Sequence, residues 1–106
     1  MKTNNIFQNI PTNLDEELFT NILDHKGLKF QRIVSDAHIT PKDEWYDQED
    51  NEWLILIQGA AIISFEDEED ITLKVGDYLN LPSHKRHRVS WTSEDEKTIW
   101  LVAHYS

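Results

Sequence analysis

An all-β sandwich or barrel preceded by a single helix is the fold class this chain predicts, on three observations. From Leu28 onward, short β-rich runs alternate with turn signals at spacings that suit a sandwich or barrel. Several runs are apolar on both faces, as strands buried from two sides are. Only one segment, near the N-terminus, carries a helical period.

That segment runs from Leu14 to Leu23, where Leu14, Leu18 and Ile22 recur every four residues and Phe19 and Leu23 widen the stripe. Asn13 can cap its first amides, Glu16 can reach back as the other half of a capping box, and Asp15 to Glu17 complement the dipole. Gly27, after His25 and Lys26, supplies a left-handed stop. Residues 1–27 are therefore expected as an arm and α-helix packed on a barrel of residues 28–106.

The expected strands are Leu28 to Val34, Glu52 to Gln58, Ala60 to Glu66, Ile71 to Val75, Tyr78 to Leu81, His87 to Trp91 and Thr98 to Tyr105. Gly59 breaks what would otherwise be one overlong strand. Leu54 and Leu56 oppose Trp53, Ile55 and Ile57, and Ile99 and Leu101 oppose Trp100 and Val102. One of the two apolar faces fills the core. The other needs the N-terminal helix or a second subunit over it, so a homodimer is expected.

At 106 residues the chain fits one core. It has no cysteine, which excludes disulfides, thiolate metal sites and cysteine nucleophiles. No stretch approaches the roughly 18 apolar residues of a membrane span, and a soluble, unexported, cytoplasmic protein is expected. The net charge of −10 repels phosphate backbones and anionic lipids, so neither nucleic acid nor membrane is an expected partner. Lys85, Arg86 and Arg88 are the one local cationic cluster; they could receive an anion, but a surface strand edge kept soluble by charge is the favoured reading. Glu66 to Asp70 reads as a solvated acidic hairpin tip. Phosphate loops, dinucleotide fingerprints and the glycine context of an esterase serine are absent.

Two stretches carry a resemblance. Glu52 stands seven residues before Gly59 with an apolar strand between, and Gly76, Pro82 and His87 follow at intervals of six and five. In order and separation they resemble the two motifs of the cupin superfamily. The chain is more narrowly similar to small single-domain bacterial cupins of unassigned role, through Trp45 to Gln48 and Thr98 to Leu101. The resemblance implies a double-stranded β-helix, or jelly-roll barrel, often dimeric. It also implies one divalent metal at the mouth, commonly held by three histidines and a glutamate. Glu52 matches the glutamate and His87 the second-motif histidine. The paired first-motif histidines are missing, and their places fall to Tyr46 and Gln48 or, with a one-residue gap, to Trp45 and Asp47. His84 stands where glycine is usual and Trp91 where asparagine often is.

Strand alternation puts Gln48 and Glu52 on one face and favours the first register. Gln48, Glu52 and His87 would then form an oxygen-rich site suited to manganese, iron, nickel or zinc, which His84 or Asp47 could complete. Tyr46 and Trp91 flank the expected mouth, and Arg88 is a further candidate for ligand contact. The alternative for Glu52 is a carboxylate paired internally with Arg32 or Arg88; for His87, a core histidine bonded to a backbone carbonyl. His38 and His104 read as packing or surface residues. Two functions follow: a small-molecule cupin using a metal as enzyme or binder, or a metal-free ligand sensor or dimeric interaction module.

Overall fold

The computed structural model describes all residues from Met1 to Ser106 and contains eight strands and no helix. The strands are β1 (Leu18–His25), β2 (Leu28–Ser35), β3 (Asn51–Gln58), β4 (Ala60–Phe65), β5 (Ile71–Lys74), β6 (Tyr78–Leu81), β7 (His87–Thr92) and β8 (Thr98–Tyr105). They form a five-stranded sheet ordered β1-β2-β8-β3-β6 and a three-stranded sheet ordered β5-β4-β7. The all-β expectation holds, with two corrections.

The first correction is the N-terminal helix. Residues 18–25 are a strand that pairs antiparallel with β2, from Leu18 opposite Val34 to His25 opposite Leu28. Gly27 does not stop a helix. Lys26 and Gly27 have φ of 41° and 82°, the pair of positive values that a two-residue hairpin turn demands. The stripe that read as helical is also not buried, since Phe19, Ile22 and Leu23 all stay exposed. The register slip between Asn21 and Leu23 lets Ile22 bulge out of the ladder, which mimics a helical spacing within an edge strand.

The second correction is closure. The two sheets face each other as a sandwich and are not joined into a continuous barrel, because the edge strands β6, β5 and β7 complete no ladder from one sheet to the other. The layers are linked by the chain itself at Gly59, between β3 and β4. Its φ is +88°, and a Cβ there would come within 2.8 Å of the Thr98 Cα, so a side chain is excluded both by conformation and by the backbone of β8.

Between the sheets lies a core of Leu54 and Leu56 from β3, Ala61, Ile63 and Phe65 from β4, Leu73, Leu81, Trp100 and Val102. Trp53, Ile55 and Leu101, on the opposite face of the five-stranded sheet, are only partly buried. The first residues cross that outer face over β2. There Arg32, 5% exposed, donates to the carbonyls of Ile6 and Gln8 at 3.0 and 2.6 Å and to Thr20 Oγ1 at 3.1 Å. Its Nε has no partner.

Candidate functional site

A pocket of about 200 Å³ opens at one end of the sandwich, between the inner faces of the two sheets. β3 supplies Glu52 and Leu54, β8 supplies Trp100, Val102 and His104, and β7 supplies His87 and Val89. Alternation along each strand sends these side chains inward. Tyr46 and Gln48 come from the segment before β3. That segment docks on β7 through reciprocal backbone bonds: Tyr46 N–H to the His87 carbonyl at 2.7 Å, and His87 N–H to the Tyr46 carbonyl at 3.2 Å.

Glu52 is the centre of the arrangement, with a side chain only 12% exposed. The Gln48 amide donates to its Oε1 at 3.3 Å. The His87 Nε2 lies 3.9 Å from Oε2 and the His104 Nδ1 lies 4.0 Å from Oε1, both beyond hydrogen-bond reach. Neither arginine considered for it is a partner. Arg32 holds the N-terminal arm on the far face of its sheet, and Arg88 lies over the Trp45 ring, 5.8 Å from the centroid. Glu52 is thus a nearly buried carboxylate with one long hydrogen bond and no lysine or arginine near it, an expensive arrangement in isolation.

His87 is 6% exposed, and its Nδ1–H donates to the Lys85 carbonyl at 2.8 Å. A carbonyl can only accept, so the proton is fixed on Nδ1 and Nε2 is turned toward Glu52. The Tyr46 ring packs on this imidazole with centroids 5.6 Å apart. Burial, and after it the Glu17 carboxylate, push the Tyr46 phenol above its ordinary value near 10, so it stays a neutral donor. Glu17 is placed at the rim by the Ser35 hydroxyl, which donates to it at 2.7 Å.

Of the residues singled out from the sequence, Tyr46, Gln48, Glu52 and His87 line this pocket, while Asp47, His84, Arg88 and Trp91 do not. The first of the two registers is the one the fold adopts. Asp47 points away, accepting from His84 Nδ1 at 2.7 Å on the exposed side of the turn. His84 has φ of 61°, the left-handed conformation that explains why glycine is usual there, and its amide donates to the Gln48 carbonyl at 2.8 Å. Arg88 follows an inward residue and therefore faces outward. Trp91 loses the inward phase at the register shift where β7 meets Ile62 and Ile63 of β4.

His104 and His38 were expected as packing or surface residues, and both line the pocket. The signal for His104 lies in strand pairing: it sits directly opposite Glu52 in the β3–β8 ladder, which no local spacing shows. His38 is fully engaged, accepting from the Asp36 amide at Nδ1 (2.9 Å) while Nε2–H donates to the Asp15 carbonyl (3.0 Å), so it is neutral and brings no charge to the pocket.

For a divalent metal, the orientation of His87 is suitable, since a carbonyl behind Nδ1 is the usual support of a ligating Nε2. The donor set as a whole is not. No group of three or more histidine, aspartate or glutamate side chains is arranged to hold an ion. Beyond Glu52 and His87 the expected site offers only the amide of Gln48, whose nitrogen is the atom turned toward Glu52.

A two-layer jelly-roll sandwich with a largely apolar pocket between its sheets defines the class of protein. The cupin domain family matches residues 36–104, and the chain belongs to that family. It is similar over 100% of its length, and 99% of the other's, to a crystal structure from Ralstonia eutropha JMP134 that bears the provisional name mannose-6-phosphate isomerase, with 37% identity and a TM-score of 0.95. A cupin superfamily protein from Desulfitobacterium hafniense DCB-2 matches 91% of the chain and 83% of its own at 18% identity and a TM-score of 0.73. The DMSP lyase DddQ of Ruegeria pomeroyi DSS-3 matches 87% of the chain and 48% of its own at 16% identity and a TM-score of 0.73. The last two show the fold alone. No protein of curated function matches the chain. No helix is long and apolar enough to cross a membrane.

Proposed function

We propose that the protein binds a small organic molecule in the pocket around Glu52, with that carboxylate and the His87 Nε2 as the groups that contact it and are able to exchange a proton with it. The observation that supports this is convergence: Gln48 and Glu52, His87, and His104 come from three separate stretches of chain onto one pocket whose remaining wall is largely apolar. At about 200 Å³ the pocket is smaller than the roughly 300–1,000 Å³ usual for drug-sized ligands, so the ligand is compact. A carboxylate and an imidazole Nε2 lone pair 3.9 Å apart can each accept a proton from one ligand.

A panel of small neutral, anionic and cationic compounds, followed through the Trp100 indole and Gln48 amide signals in two-dimensional NMR, tests this reading. Saturable shifts at those two groups, abolished by His87→Ala, are the expected result. A folded protein whose pocket signals move with no compound would overturn it.

The second reading is a divalent metal at Gln48, Glu52 and His87, favoured by the His87 tautomer and opposed by the donor count. Elemental analysis of untagged protein decides it: stoichiometric Mn, Fe, Ni or Zn, lost in His87→Ala, would establish the metal. We further propose a homodimer through the outer face of the five-stranded sheet, where Ile55 lies opposite Leu101 and Trp53 packs on Tyr78 at 5.8 Å beyond the part the N-terminal arm covers. Light scattering after size exclusion should give twice the 12.5 kDa chain mass, and a monomer at micromolar concentration would exclude the dimer.

A further inference from the structure

We infer that the pocket selects a small organic cation, of the class of a substituted ammonium, and disfavours phosphorylated ligands. The inference rests on the reading of this pocket as the ligand site and adds the charge of what enters it.

None of the seventeen residues lining the pocket is lysine or arginine, while two, Glu17 and Glu52, are carboxylates. Lys29 lines a separate depression that shares only Gln31 and His104 with this pocket. The cationic cluster noted in the sequence is spent elsewhere. Lys85 pairs with Asp67 at 2.9 Å and Glu68 at 2.6 Å, Arg86 with Glu66 at 2.6 Å, and Arg88 lies over Trp45. No arginine or lysine lines the pocket to receive a phosphate, which proteins bind with those side chains or with helix N-termini. This chain has no helix.

The same wall is suited to a cation. Phe19, Tyr46 and Trp100 line the pocket together with the two carboxylates, and aromatic faces attract an ammonium through the ring quadrupole. Glu52 is the stronger argument. It is 12% exposed, with one hydrogen bond of 3.3 Å and no arginine or lysine partner; the only groups that could offset its charge are the His87 and His104 imidazoles at 3.9 and 4.0 Å, which do so only when protonated. A desolvated carboxylate is stabilised by an opposite charge placed against it, and the open space beside Glu52 is the pocket. A metal ion would supply that charge too, but the donor set does not fit one, whereas an ammonium needs only carboxylate and aromatic contacts.

The test uses tetramethylammonium chloride as cation, tert-butanol as its neutral analogue of similar size, and inorganic phosphate and mannose 6-phosphate as anions, each followed at Trp100 and Gln48 by NMR. Tetramethylammonium should bind about tenfold or more tighter than tert-butanol, and Glu52→Gln should remove that preference. Neither phosphate compound should compete. Should Glu52→Gln lose its spectral dispersion, Glu17→Gln carries the same comparison with a smaller loss of preference. Equal binding of tert-butanol, binding of either phosphate compound, or a preference unchanged in the variants would overturn the charge assignment while leaving the pocket as a ligand site. Displacement of tetramethylammonium by equimolar Zn²⁺ would transfer the counter-charge to a metal and overturn it as well. Pocket signals that move with none of these probes, nor with any compound of the wider panel, would overturn both readings.

Discussion

Replacing Glu52 with glutamine keeps the shape of the side chain and removes its charge, so it isolates what that charge costs the free protein. Taking a carboxylate out of water costs several kcal/mol even after relaxation. Against this stands one hydrogen bond to a charged acceptor, worth about 1.5–3 kcal/mol when well formed and less at the 3.3 Å found here. The two imidazoles at 3.9 and 4.0 Å would each contribute about 4 kcal/mol at an effective dielectric of 20 if protonated, and little if neutral. The Nδ1 proton of His87 is accounted for by the Lys85 carbonyl, and a neutral ring satisfies that bond fully. Glu52→Gln is therefore expected to stabilise the unliganded protein at pH 8 by about 1–3 kcal/mol, read as a higher midpoint in urea with an unchanged slope. Tetramethylammonium should then raise the wild-type midpoint and leave that of the variant in place. A loss of more than about 1 kcal/mol on substitution would mean that the protein already compensates Glu52, through a protonated histidine, and would remove the main support for a cationic ligand.

Gly59→Ala should cost about 2–4 kcal/mol, from the left-handed φ of +88° and the contact with the Thr98 backbone, and lower the melting temperature by roughly 10–20 °C by circular dichroism. Arg32→Ala removes three hydrogen bonds from a buried guanidinium and should destabilise by about 2–4 kcal/mol. Limited proteolysis should then cut the first ten residues far faster than in wild type. The raised Tyr46 pKa means that above pH 10 the folded chain retains a proton the unfolded chain has released. Its contribution is fully present below about pH 10 and is lost as pH rises from there through the folded value, so the alkaline decline measured in urea should be shallower in Tyr46→Phe.

The strands from Leu28 onward were legible because each combines a β-rich apolar run with polar punctuation, and six of the seven expected strands start at the residue where they were placed, while β3 starts one residue earlier. The first hairpin was not. Leu14 to Leu23 satisfies a helical period on paper, but the deciding facts are nonlocal: the free edge of β2 and the turn conformation of Lys26 and Gly27. The site divides along the same line. Glu52, Gln48 and His87 were visible through motif spacing, and alternation alone would have sent Arg88 outward. His104 is placed by a ladder between strands some fifty residues apart, and Trp91 is turned out of phase by a register shift; neither leaves a mark in local sequence.

The relative from Ralstonia shares 37% of the residues and nearly the whole backbone, so the pocket of this chain has the same frame available to it. What a frame binds is decided by the side chains turned into it. A phosphorylated sugar carries about two negative charges at neutral pH and would meet Glu17 and Glu52 with no lysine or arginine to offset them, inside a chain of net charge −10. Adding one cation to that wall is the direct way to ask which term dominates. Val89→Arg would place a guanidinium beside His87 on the inward face of β7. If charge is the barrier, the variant should gain binding of mannose 6-phosphate and lose that of tetramethylammonium. If the variant is folded and still prefers tetramethylammonium, shape rather than charge governs the pocket, and the cation assignment fails.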